Sequence, residues 1–86
     1  MSKVVVHRHA VKYLNHLPKK TKARIKEILK EFEKDPLGQS HVTHMVGEWA
    51  GYQRMRAGRF RIIFWYDHRN DVVYVDHIGP RGDVYK

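Results

Sequence analysis

A cluster of arginines in the C-terminal half has the clearest chemical potential in this sequence. Four of them fall within eight residues, and a fifth follows in the tail: Arg54, Arg56, Arg59, Arg61 and Arg81. The guanidinium group is planar, stays charged at any working pH and can donate two hydrogen bonds at once to phosphate oxygens. The cluster therefore predicts a surface that binds a polyanion, with RNA as the expected partner.

The spacing of the arginines indicates how they are arranged on a pair of strands. A two-residue hairpin loop at positions 57–58 places Arg56 opposite Arg59, and the same register places Arg54 opposite Arg61. Side chains alternate along a strand, so we expect all four on one face. Like charges directly opposite each other destabilise a strand pair by up to about 1 kcal/mol. We therefore expect an anion, such as a phosphate chain, to compensate.

The same register gives each face of this hairpin a distinct character. Met55 is expected opposite Phe60 on the apolar face. Tyr52 and Trp65 are expected on the arginine-bearing face, where unpaired bases can stack on aromatic rings. An arbitrary basic patch is usually only a solvated surface. Here the arginines are clustered and are expected to lie opposite each other on two strands, which favours a binding site.

Length, charge and composition limit the possible functions. The chain has 86 residues and a formal net charge of +8, which fits one small domain over residues 1–86 that attracts nucleic acid, an anionic membrane or an acidic partner. It has no cysteine, so no disulfide framework is expected. The first ten residues do not resemble a signal peptide and no apolar run is long enough to span a membrane, so we expect a cytoplasmic protein.

The hydrophobic pattern predicts the elements that position the cluster. We predict a strand at 4–6, a helix at 9–17 that Pro18 stops, and a second helix from 19 to the Asp-Pro pair at 35–36. A connecting loop is expected at 37–51, followed by a three-stranded antiparallel meander from Tyr52. The predicted fold is α+β, in the order β-α-α-β-β-β, with a helical hairpin packed on a small, mainly antiparallel sheet.

Histidines and lysines are further candidate functional residues. His77 is the histidine nearest the arginines in sequence, but simple alternation places it on the face of Val73 and Val75, where a structural role is as plausible as proton transfer. The histidine pairs at 7 and 9 and at 41 and 44 have no carboxylate or cysteine to complete a metal site, so we expect neither metal nor cofactor. The lysines of the second helix form either a solvated face or an RNA-steering surface.

The C-terminal half resembles a known family. The run GYQRMRAGRFRIIFWY followed by VVYVDHIGPRGDVY is similar to the RelE/ParE superfamily of toxin–antitoxin toxins, and closer to its RelE branch of mRNA interferases. The resemblance implies a ribosome-dependent endoribonuclease that cuts the codon in the A site and that a cognate antitoxin silences. One departure is Tyr52, which stands where the best-studied members of the family have a lysine.

The resemblance also implies roles for individual residues. The catalytic positions are expected at Arg54, Arg61, Arg81 and Tyr85. Contacts to mRNA or ribosomal RNA are expected from the remaining basic and aromatic positions, which are Arg56, Arg59, Tyr52, Trp65, Lys19, Lys20, Lys22 and Lys26. Two alternatives stay open from the sequence: a ParE-type inhibitor of DNA gyrase without nuclease activity, and a non-catalytic RNA-binding module.

Overall fold

The computed structural model describes residues 2–80 and contains five strands and two helices in that range. The elements are β1 Lys3–Val6, α1 Arg8–Asn15, α2 Lys19–Lys34, β2 Val42–His44, β3 Gln53–Ala57, β4 Phe60–Asp67 and β5 Val72–Pro80, with a 3₁₀ turn at Gly47–Trp49. Arg81 and Tyr85, two of the four expected catalytic residues, lie outside the described residues.

Local sequence signals explain where the two helices begin and end. The Nδ1 atom of His7 accepts a hydrogen bond of 3.1 Å from the backbone N–H of His9, which caps the start of α1. Pro18 separates the helices and fits the position before α2, because proline is tolerated at a helix start and not in its interior. Within residues 2–80, neither helix is long and apolar enough to cross a membrane.

The sheet has the strand order β1-β5-β4-β3-β2. Strand β1 pairs with β5 in parallel, and the other neighbours are antiparallel. The predicted α+β fold, with a helical hairpin on a mainly antiparallel sheet, is confirmed. The prediction of an unbroken loop at 37–51 was wrong, because this segment contains β2 and the 3₁₀ turn. Strand β2 has only three residues, too few to give a clear alternating pattern.

The hydrophobic core lies between the helices and one face of the sheet. Phe32 of α2 and Phe64 of β4 are fully buried, and their ring centroids are 4.5 Å apart. Ile62 on β4 and Val73 and Val75 on β5 are also buried on this face. Since side chains alternate along strands, the odd-numbered residues of β4 point to the opposite face of the sheet, away from both helices.

Candidate nucleic-acid interface

The β3–β4 hairpin sets the positions of the arginines, and its register differs from the predicted one. Ala57 pairs with Phe60, so the two loop residues are Gly58 and Arg59. Gly58 has a φ of 61°, while Arg59 is not among the residues with positive φ, which is the pattern of a type II′ hairpin loop. Glycine is favoured at the first position of this loop, and this preference moves the turn one residue along the chain.

The new register changes which residues lie opposite each other. Arg56 lies opposite Arg61, not Arg59, and Arg54 lies opposite Ile63. The apolar face changes in the same way, because Met55 pairs with Ile62 and not with Phe60.

The partner of each β3 residue moves by two positions along β4, so the residues of these two strands keep their predicted faces. Arg54, Arg56 and Arg61 therefore share the face opposite the helices, which we call the arginine face. Arg59 lies in the turn, outside the ladder of paired residues.

A cleft of about 260 Å³ on this face brings the three arginines together. We call it the arginine cleft, and strand β2 supplies one of its walls. Its lining residues are His41, Val42, Thr43, Arg54, Arg56 and Arg61. The backbone N–H of Arg56 donates a 3.1 Å hydrogen bond to the carbonyl of His41. His41 has a φ of 59°, an unusual conformation for a residue other than glycine. Such strain is concentrated at functional sites.

His77 also lies on the arginine face, so its predicted position with Val73 and Val75 was wrong. The pairing of β4 with β5 is irregular between Ile63 and Phe64: Phe64 pairs with Val75, whereas Ile63 pairs with His77. Asp76 is the extra residue of this β-bulge. A bulge inverts the alternation beyond it, which simple counting along the sequence cannot reveal. His77 therefore shares a face with Ile63 and the three arginines.

Trp49 is a further residue of this surface and lies in the segment for which the sequence predicts a loop. Its ring centroid lies 5.4 Å from that of His77, and it lines a second cleft together with Arg54. Ile63 lies between His77 and Arg54 across the sheet and is fully buried although it points to the arginine face. The glycines at 47 and 51, both with positive φ, are the sequence signal for this tight turn.

The predicted aromatic residues flank the arginines. Tyr52 lies just before β3 and contacts Trp49 edge to face, with ring centroids 5.2 Å apart. Trp65 lies opposite Tyr74 on the arginine face, and the two rings stack at 4.7 Å with an angle of 17° between their planes. Trp65 and Tyr74 are both partly exposed, which leaves an aromatic surface beside the basic one.

The predicted lysines of α2 are in the helical layer, on the other side of the sheet. They are Lys19, Lys20, Lys22 and Lys26. Among them, Lys20 lines a groove of about 450 Å³ that also includes Arg24 and Arg59. The hairpin tip thus connects basic residues of the two layers, whereas the arginine cleft itself contains no lysine.

The described part of the chain offers no obvious metal centre. No group of three or more histidine, aspartate or glutamate side chains among residues 2–80 is arranged to hold a metal ion. In the same range, β5 continues to Pro80, and Gly79 pairs with Arg61. The expected catalytic residue Arg81 follows directly in sequence.

Comparisons with known proteins identify the fold. No protein-family model and no curated protein sequence matches the chain. Among solved structures, it is similar to a chain of the archaeal RelE–RelB complex from Pyrococcus horikoshii, with 28% identity, a TM-score of 0.82 and coverage of 95% of this chain and 97% of that one. It also resembles a chain of the toxin–antitoxin complex RelBE2 from Mycobacterium tuberculosis, with 22% identity, a TM-score of 0.81 and coverage of 93% and 98%.

The intact RelBE toxin–antitoxin complex from Escherichia coli shows the same fold at 15% identity, with a TM-score of 0.74 and coverage of 93% of this chain and 96% of that one. The match therefore extends over nearly the full length of both chains in each case. The chain has a RelE-like fold.

Proposed function

We propose that this chain is the toxin of a toxin–antitoxin system and that it cuts mRNA in the ribosomal A site. The observation that carries the proposal is the arginine cleft, in which three guanidinium groups from adjacent strands line one concave surface. Arginines on rigid strands suit phosphate recognition, because their N–H groups are held in a fixed orientation. The RelE and RelBE names of the similar complexes support a toxin role with a cognate antitoxin as partner.

The cleavage chemistry divides into three tasks. The 2′-OH loses its proton and its oxygen attacks the adjacent phosphorus, negative charge builds up on the phosphate oxygens, and the P–O5′ bond breaks as the 5′-oxygen gains a proton. Arg61 and Arg81 bind the scissile phosphate and stabilise its charge in the transition state. Arg54 adds a further electrostatic contact, and Tyr85 orients the nucleotide or accepts the 2′-OH proton.

The surrounding surface supports binding of a single-stranded RNA. Arg56 and Arg59 contact the flanking phosphates, while Tyr52 and the Trp65 ring provide surfaces on which unpaired bases stack. Lys20 at the hairpin groove extends the positive surface to the helical layer, where it meets ribosomal RNA. An acidic or amphipathic segment of the antitoxin is the expected partner of the same basic surface.

The test is primer extension on a translated mRNA with wild-type protein, an Arg61→Gln variant and an Arg69→Gln control. Arg69 lies in the β4–β5 turn, at the opposite end of β4 from Arg61, so its substitution removes the same charge away from the cleft. We expect cuts within the A-site codon for wild type and Arg69→Gln, a large loss for Arg61→Gln, and no cuts on free RNA.

Thermal unfolding of both variants controls for loss of the fold. Binding without any cut by the wild-type protein would contradict the nuclease and favour an RNA-binding module. Inhibition of gyrase supercoiling without any cut would favour the ParE-type activity.

A further inference from the structure

We propose that His77 transfers one of the protons that move in the cleavage reaction; this inference rests on the proposed nuclease function. The reaction must remove a proton from the 2′-OH and deliver one to the 5′-oxygen. Arginine is a poor candidate for either transfer, because it keeps its proton throughout the working pH range. Histidine is the side chain whose ordinary titration falls between about pH 5 and 8, which suits it to this task.

The β-bulge is the first observation that supports this role. Without Asp76 as the extra residue, His77 would continue the alternation of Val73 and Val75 and point into the core between sheet and helices. With the bulge, it points to the arginine face. Bulges are often found beside active sites, where they redirect a side chain. Here the redirected side chain is the imidazole of His77.

The surroundings of the ring are the second observation. The imidazole lies edge to face against Trp49, with an angle of 71° between the rings, which restricts its orientation. Its side chain is still 39% exposed, so a bound nucleotide can reach it. The Nε2 atom lies 3.7 Å from a carboxylate oxygen of Asp76, within ion-pair reach when the imidazole is protonated. His77 is thus oriented by two neighbours and remains accessible.

The position of the ring relative to the arginines is the third observation. His77, Ile63 and Arg54 occupy consecutive strands in one row across the sheet. Trp49 links the ends of this row, since it contacts His77 and lines a cleft with Arg54. Neighbouring strands are about 4.8 Å apart, so the backbones at the two ends of the row are about 10 Å apart, a distance that the two side chains can bridge. A phosphate held by the arginines therefore places an adjacent ribose oxygen within reach of the imidazole.

The experiment compares His77→Phe and His77→Gln with wild type in single-turnover cleavage of ribosome-bound mRNA between pH 5 and 8. Phenylalanine retains an aromatic ring against Trp49 but cannot carry a proton, whereas glutamine is polar and lacks the ring. His68→Gln is the matched control, since His68 is an exposed histidine of the β4–β5 turn. We expect both His77 variants to lose about 10²-fold or more in rate. They should also lose the pH dependence of wild type in this range.

Other charged groups near the ring can also change the pH dependence of the cleavage rate, so the rate is measured over the full pH range. They are Asp76 on β5, Arg54 on β3, Arg61 on β4, and Glu48 and Tyr52 on either side of Trp49. The ribosome contributes its own titration, which cancels in the ratio of variant to wild-type rates. His41→Gln and His44→Gln test two further histidines of this surface, since His41 lines the arginine cleft and His44 lines the cleft that contains Trp49 and Arg54.

Each outcome has a distinct meaning. Full activity and an unchanged pH profile in His77→Phe would overturn the proposal while leaving the nuclease function intact. Loss in His77→Gln alone would assign the residue a packing role against Trp49, and loss of the pH dependence in His41→Gln or His44→Gln alone would assign proton transfer to that histidine. If the wild-type protein does not cut, the proposed function itself fails and the role of His77 fails with it.

Discussion

Replacing Arg56 by glutamine should make the protein more stable and a weaker RNA binder. Arg56 is exposed and lies directly opposite the half-buried Arg61 on the neighbouring strand. A like-charged pair in this position destabilises a sheet by about 0.2–1 kcal/mol. For a domain of this size, each kcal/mol corresponds to about 4–8 °C in the midpoint of thermal unfolding. We therefore expect Arg56→Gln to unfold about 1–8 °C higher than wild type at low salt.

The salt dependence of this gain tests its electrostatic origin. The Debye length falls from about 30 Å at 0.01 M salt to about 3 Å at 1 M, so the repulsion between the exposed Arg56 and the half-buried Arg61 should weaken over this range. The assay is thermal unfolding followed by circular dichroism at several salt concentrations. Arg59→Gln is the control, because Arg59 carries the same charge in the turn and has no partner across the ladder.

Two results would refute this reasoning. One is an Arg56→Gln variant that is no more stable than Arg59→Gln at low salt, and the other is a gain that persists at 1 M salt. The RNA affinity provides the complementary measurement. The slope of log affinity against log salt should decrease by about 0.7, the value expected for one lost contact to a single-stranded phosphate chain. A stabilised variant with unchanged affinity would show that Arg56 does not contact the backbone.

Three further predictions concern the fold. Asp71 accepts hydrogen bonds from the hydroxyls of Ser2 and Tyr66, which lower the pKa of its carboxyl group. The stabilising contribution of this carboxylate should therefore be present above about pH 4 and be lost as the pH falls through the lowered pKa. Acid unfolding of Asp71→Asn should be less pH-dependent than that of wild type. Gly58→Ala should destabilise the hairpin by about 1 kcal/mol because of its positive φ, as measured by urea unfolding, and an unchanged midpoint would contradict the type II′ loop. Phe64→Ala should lower the free energy of unfolding by about 3–5 kcal/mol, and a loss below about 1 kcal/mol would contradict the tight packing against Phe32.

The fold was predictable from the sequence because its long elements have strong periodic patterns. The stripe of α2 and the apolar alternation of β4 identified the two layers that enclose Phe32 and Phe64. Strand β2 was not predictable from its own three residues. It exists because its backbone pairs with β3, and this tertiary contact leaves little trace in local composition.

The candidate site was predicted in part, and each error has a local physical cause. The arginine face was recognised because a register shift of two residues leaves the faces unchanged. The opposing pairs were wrong because the preference of Gly58 for the first loop position outweighed a simple count from the Ala-Gly pair. His77 was misplaced by one extra residue at Asp76. Turn type and bulges depend on backbone conformation, which hydrophobic periodicity does not report.

The two faces of the sheet contribute differently to RNA binding and to stability. The buried face carries Phe64, Val73 and Val75 and holds the helices, whereas the arginine face carries the like-charged neighbours Arg56 and Arg61. Substitutions on the arginine face should therefore reduce RNA binding while they preserve or raise stability, and substitutions on the buried face should do the reverse. Ile63 is the informative exception, because it is fully buried on the arginine face beside His77. A substitution such as Ile63→Ala should lower both stability and cleavage, since it opens a cavity between His77 and Arg54 in the row across the sheet.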